Sequence, residues 1–177
     1  MNDNSFSPTR TSVAISFRLV LGLLVCIAPG PVLAVTDTAL QARIEYQVQN
    51  EPRLDGTDVR IITDDGNVVL TGQVRLLSQK MLYGQIAWQT GGTIDVDNEI
   101  RVIPVTAVSD QKLDEAIRRL LQQHQRFQSI DAAVKDGIAT VHGTFAGAAD
   151  VLFLKWLIAE IEGVILVLIE SQIIAQR

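Results

Sequence analysis

The chain has 177 residues, 47% hydrophobic and 20% charged, an ordinary globular composition with room for one domain or two small ones. Its net charge of −5 makes it a poor candidate for nonspecific nucleic-acid binding, which depends on clustered Lys and Arg, and no nucleic-acid partner is expected. Only one cysteine is present, Cys26, so no disulfide can form within the chain.

Residues 1–34 differ in kind from the rest. Arg10 and Arg18 lead into an apolar run, LVLGLLVCIA from Leu19 to Ala28, followed by Pro29-Gly30-Pro31 and Val32-Leu33-Ala34. A basic start, about 10 apolar residues and small residues at the end form the layout of a secretory signal, and cleavage is expected after Ala34. So short a run covers about half of a bilayer core, too little for a permanent transmembrane helix. Val25 stands where a lipoprotein signal needs a small residue, and Cys26 precedes the Pro-rich region, so Cys26 is not expected to be lipidated. Cleavage would leave 13 basic and 19 acidic residues, a net charge of −6, and no thiol.

From residue 36 the pattern becomes regular. Thr36-Asp37 is an N-cap signal, and Leu40, Ile44 and Val48 fall on one helix face. Val59, Ile61 and Thr63 alternate, Asp64-Asp65-Gly66-Asn67 supplies turn residues that tolerate positive φ, and Val68 to Val74 alternates again, which predicts a β-hairpin. Residues 78–90 have helical spacing ended by Gly91-Gly92, and Ile94, Val96, Ile100 and Val102 predict one last strand.

The same order then repeats. Asp110, Leu113, Ile117 and Leu121 follow Asp37, Leu40, Ile44 and Val48 at an offset of 73. From Val59 and Ile130 onward the offset is 71, and it pairs Gly66 with Gly137, Gly72 with Gly143, Gly92 with Gly163 and Glu99 with Glu170. A register held this long identifies an internal duplication. Each half reads helix, strand, strand, helix, strand, and a three-stranded sheet with both helices on one face buries these stripes most simply. The fold class expected is therefore α+β, two αββαβ units, with a second helix at 149–162 and a linker from Val105 to Val108. Gly66 and Gly137 are read as turn glycines. Gly72 and Gly143 share a strand side with Val68, Leu70 and Val74, and are expected either to admit a helix close to the sheet or to end the strand in a loop.

These residues carry a resemblance. D-x-x-L-x-x-x-I from Asp37, DDGNVVLTGQV from Asp64 and IDVDNEIRV from Ile94, with KDGIATVHGTF and EGVILVL in the second half, are similar to the BON domain, named for bacterial OsmY and nodulation proteins. The resemblance covers residues 36–104 and 109–175, an OsmY-like tandem. Thr93 departs from the family's usual Val, and VILVLIES lacks the polar residue found at Asn98. The resemblance implies a periplasmic, non-enzymatic envelope protein without a cofactor. It also implies roles in osmotic stress, envelope integrity and anionic phospholipid binding, with some relatives found in secretion or channel assemblies.

Chemistry is sparse. His124 and His142 are the only histidines, with no metal-ligand spacing, and no nucleophile elbow, P-loop or paired-carboxylate motif occurs. No catalytic or metal residues are expected. IRRLLQQHQRF, Ile117 to Phe127, stands out because no acidic residue falls between Ala116 and Ile130, so Arg118, Arg119, His124 and Arg126 predict a local positive patch beside an apolar helix face. That patch could meet an anionic phospholipid surface, or it could be a solvated helix face. In the second half Leu152, Phe153 and Trp156 lie off the helix stripe of Leu154, Leu157, Ile158 and Ile161, and Leu166 and Leu168 fall on the open sheet side. Apolar residues so placed mark an interface, either between the two halves, as with Met81, Leu82 and Trp88 of the first half, or with lipid or an envelope protein. The alternative function is thus a protein-interaction or chaperone-like module.

Overall fold

A computed structural model of the protein describes residues 36–173. The expected signal and its cleavage point lie outside the described residues. Helix α1 (Asp37–Gln49) starts at Thr36, whose hydroxyl accepts the Ala39 N–H at 3.3 Å. A 3-10 turn, Pro52–Leu54, leads to β1 (Asp58–Asp64) and β2 (Asn67–Val74); α2 (Leu77–Gln89), β3 (Asp95–Asn98) and β4 (Arg101–Val102) follow. The second half runs α3 (Asp110–Gln123), a 3-10 turn at Gln125–Phe127, β5 (Asp131–Lys135), β6 (Ile138–Phe145), α4 (Ala148–Ala159) and β7 (Leu166–Ile173). In the first sheet β2 is central, antiparallel to β1 and parallel to β3 and β4; in the second, β6 is central between antiparallel β5 and parallel β7. The fold is α+β, with two αββαβ units.

The hairpin turns explain the first glycine of each pair. Asp65 and Gly66 have φ of 46° and 78°, and Asp136 and Gly137 have 52° and 74°, positive at both central positions as a type I′ turn requires. The first aspartate of each half serves this turn from a distance. Asp37 accepts the N–H groups of Asp65 at 3.0 Å and Gly66 at 2.9 Å, and Asp110 accepts those of Asp136 at 2.8 Å and Gly137 at 3.0 Å. A residue that reads as a helix-start signal is also the clamp on the hairpin. Ser109, by contrast, makes no side-chain cap bond.

The second glycine has a different cause from the expected helix approach. Gly72 has φ +137°, and a Cβ there would run into the Asp58 carbonyl oxygen and lie 2.9 Å from Val59 Cα, the backbone of the neighbouring strand β1. Gly143, φ +153°, would place its Cβ 2.6 Å from Ile130 Cδ1 and 3.2 Å from Ile130 Cα, at the equivalent point before β5. At both glycines the atoms nearest to such a Cβ belong to the hairpin partner strand or the residues that lead into it.

The last strand of the first half also differs from expectation. It is broken at Glu99 and Ile100, because Asn98 turns its amide into the helix layer: Nδ2 donates to the Lys80 carbonyl at 2.9 Å and Oδ1 accepts the Ile100 N–H at 3.3 Å. Gly84 of α2 makes room, since a Cβ there would lie 3.0 Å from Asn98 Nδ2. Ile169 occupies the equivalent place in the second half, and β7 runs unbroken.

Two apolar cores result, and they interlock. Leu40, Ile44, Val68, Leu70, Ile86 and Ile100 anchor the first, while Leu113, Ile117, Phe127, Val141, Leu154 and Ile158 anchor the second. Leu77 of α2 is buried in the second core, with Met81 packed against it, and Trp156 of α4 packs against the first. Residues 36–173 therefore lie within one compact body.

Candidate functional site

The predicted positive patch is built at the end of α3. Leu113, Ile117 and Leu121 bury one helix stripe, which leaves Arg118 and Arg119 on the solvent side. His124 ends the helix, and the 3-10 turn that follows drives Phe127 fully into the core. The chain direction this sets places Arg126 over α4, where its guanidinium lies 5.1 Å from the Phe153 ring centre and 5.9 Å from that of Phe127. His124 meets the same two rings edge-on at 5.9 Å each.

Acidic residues distant in sequence temper this patch. Arg126 pairs with Asp150 at 3.1 Å, and Arg119 pairs with Glu115 at 3.2 Å one helical turn back. The gap in acidic residues from Ala116 to Ile130 is true of the sequence but not of the surface. Arg118 has no ion-pair partner among the described residues, and it borders a cleft of about 410 Å³ whose apolar wall is Leu121, Phe127 and Ile130. Of the three arginines singled out, Arg118 alone has no ion pair among the described residues, although Asp131 lines the same cleft.

The apolar residues singled out go to three different places. Phe153, 40% exposed, lies on α4 beside Arg126 and His124, and its neighbour Leu152 is 59% exposed. Trp156 faces the other way and packs on the first core; it walls a crevice of about 270 Å³ between the halves together with Arg53, Arg75 and Glu160. There Arg53 bonds Glu51 at 2.8 Å, and that hydrogen bond holds the Glu51 carboxyl below its ordinary range. Leu166 and Leu168 are 42% and 43% exposed on the open side of the second sheet. Of the first-half residues, Leu82 belongs to its own core, Met81 to the second, and Trp88 is exposed.

Two features escaped the sequence reading. Asp150 as the partner of Arg126 is 24 residues away, and no spacing rule marks such a pair. The carboxylates of Asp37, Asp64 and Asp65 gather within 4.8 Å at the first hairpin, close enough for a cation. Asp37 already uses both oxygens on backbone N–H groups, and Lys135 stands in the place of Asp64 in the second half, so the cluster is read as turn structure. His142 is exposed on the outer side of β6, 3.4 Å from Glu170. Among the described residues no helix is long and apolar enough to cross a membrane.

The type I′ hairpin clamped by the helix-start aspartate, between two helices and followed by a parallel strand, has a counterpart among known families. Residues 36–104 match the BON domain. BON domains are in general non-catalytic modules of membrane-associated or periplasmic proteins. The family match covers the first unit; the second αββαβ unit is shown by its structure. No curated protein matches the chain. Among solved structures the chain is similar to the C-terminal domain of CdsD, a structural protein of the type III secretion system of Chlamydia trachomatis, at 18% identity and a TM-score of 0.32, over 75% of this chain and 63% of that one. A second CdsD structure from the same organism gives 13% identity and a TM-score of 0.29, over 78% of this chain and 93% of that one. The chain thus spans less than two thirds of the first of these structures, and neither likeness is close enough to carry a functional argument.

Proposed function

We propose that the protein is an exported envelope protein of two BON domains, the second diverged, which binds membrane surfaces rich in anionic phospholipid through the α3–α4 patch. Kinship of the second unit to the first is supported by its Asp110 clamp, its Asp136-Gly137 turn and the constrained Gly143, each equivalent to a residue of the matched unit. Export rests on the signal layout of residues 1–34.

The observation that carries the lipid reading is the contact of Arg126 and His124 with Phe153. It joins in one surface the basic stretch and the exposed apolar residues that look like rival sites in the sequence. A basic side chain beside an exposed ring suits the interface of a bilayer, where Phe153 would enter the headgroup layer and the guanidinium would remain with the phosphates. Each unpaired basic residue near an anionic surface contributes about 1 kcal/mol; Arg118 is unpaired and Arg126 shares its charge with Asp150, so the attraction is weak and sensitive to salt. Osmotic stress or envelope integrity is the setting in which such a binder would act.

The test uses protein recovered from cells expressing the full chain, floated with vesicles of phosphatidylcholine alone or mixed with phosphatidylglycerol. Flotation is expected only with the anionic lipid and is expected to fall with salt. Arg118→Glu combined with Arg126→Gln should abolish it, and Phe153→Ser should weaken it at every salt concentration. If the charge variant floats as well as the parent, or the parent does not float, the lipid reading is wrong.

A further inference from the structure

The outer edge of the second sheet invites a different interaction. Strand β7 pairs only with β6 among the described residues, so one row of its backbone groups is unused. Ile165 donates its N–H to Gly137 at 2.9 Å, and in a parallel ladder the odd residues that follow also face β6. The N–H and C=O groups of Leu166, Leu168 and Glu170 therefore point away from the sheet.

Proteins normally guard such an edge with charge, with a break, or with a cover. The first half uses two of these: Asp95, Asp97 and Glu99 are exposed along β3 and just past its end, and pairing lapses at Glu99 and Ile100. In the second half leucines replace both aspartates, Glu170 alone of the three charges remains, and the break is gone. Gly163-Val164-Ile165-Leu166-Val167-Leu168-Ile169 carries no charge, the strand is continuous over eight residues, and Ile165, Leu166 and Leu168 are exposed.

We infer that β7 is the dimerisation strand of this protein, pairing antiparallel with β7 of a second copy across a two-fold axis at Val167. This register sets Leu166 against Leu168 of the second copy twice, using the outward backbone groups in the hydrogen-bonded positions of an antiparallel ladder. It opposes no charge to a like charge, because Glu170 falls opposite Val164. Moving the axis to Glu170 would set the two carboxylates face to face. The even-numbered residues of both strands share the open face, so the helices of both copies stay on the other. A two-fold pairing also consumes the exposed edge of both copies and closes, which a head-to-tail arrangement would not do. The same pairing of β3 with itself would bring Asp95 and Asp97 against one another. The surface is separate from the α3–α4 patch, so dimerisation and lipid binding can fail independently.

Light scattering during gel filtration, with protein from cells expressing the full chain, should give twice the monomer mass. Leu168→Lys should raise the dissociation constant on the order of 100-fold or more, since two leucine contacts are lost in each dimer. Circular dichroism must match the parent for that variant to count. Hydrogen exchange on the unaltered protein gives an independent reading: the amides of Leu166 and Leu168 should be protected when concentrated and exchange fast on dilution. A monomer mass at all concentrations, a dimer that survives Leu168→Lys in a folded protein, or protection of those amides that persists on dilution would each overturn the inference.

Discussion

The two halves of this molecule share a backbone plan and differ in what they expose. In the first, the cleft between helix and edge strand carries Glu45 on the helix side and Arg60 on the strand; in the second, Arg118 and Asp131 take those places with the charges exchanged. The open sheet side of the first half carries Asp95 and Asp97 where the second has Leu166 and Leu168. Buried positions, by contrast, keep their character from half to half: Ile44 and Ile117, Leu70 and Val141, Leu54 and Phe127. Packing constrains the inside of both copies alike, whereas the surface of each is free to take a separate role. In the second half basic side chains, the exposed Phe153 ring and an apolar edge strand occur together.

The strongest way to test this equivalence is at the paired glycines. Gly72→Ala meets fixed backbone of β1 as well as an unfavourable φ, and should cost about 3–5 kcal/mol in denaturant unfolding. Gly143→Ala meets chiefly the end of the Ile130 side chain, which can turn aside, and should cost about 1–3 kcal/mol. Equal losses would mean that the two hairpins are crowded in the same way after all.

Trp156→Ala addresses how far the halves act as one. The side chain leaves α4 of the second unit to pack on the core of the first, so its loss should cost about 2–3 kcal/mol. It should also separate the unfolding of the two units, visible in calorimetry as two transitions in place of one. A single unchanged transition would show that Leu77 and Met81 suffice to couple them.

A smaller effect should be the same in both halves. Asp37→Ala and Asp110→Ala each remove two charge-assisted bonds to a hairpin turn, and each should lower stability by about 1–3 kcal/mol. Unequal losses would separate the two clamps energetically although their geometry matches.

Much of the fold is legible in the sequence because its signals are local. Helix spacing at Leu40, Ile44 and Val48, the Asp-Gly turns and the alternation of β2 and β6 follow from backbone geometry over a few residues, and the duplication confirms each signal by repeating it. Where a distant group intervenes, the reading fails. The break in the last strand comes from Asn98 reaching Lys80, and the need for Gly72 comes from the backbone of Asp58 and Val59.

The candidate site divides along the same line. Sequence alone determined that Arg118, Arg119, His124 and Arg126 form one basic stretch without acidic neighbours, and that Leu152, Phe153 and Trp156 cannot all fit the stripe of α4. The helix expected to run to Arg126 ends at Gln123, and Arg126 lies in the 3-10 turn that follows. Only the tertiary structure decided that Arg119 and Arg126 are paired with Glu115 and Asp150 and that Phe153 meets Arg126 and His124. It also turned Trp156 inward to the other half. A helix period states which face a side chain leaves from, but what it meets there depends on where the neighbouring element lies, and that is set by packing over the whole chain.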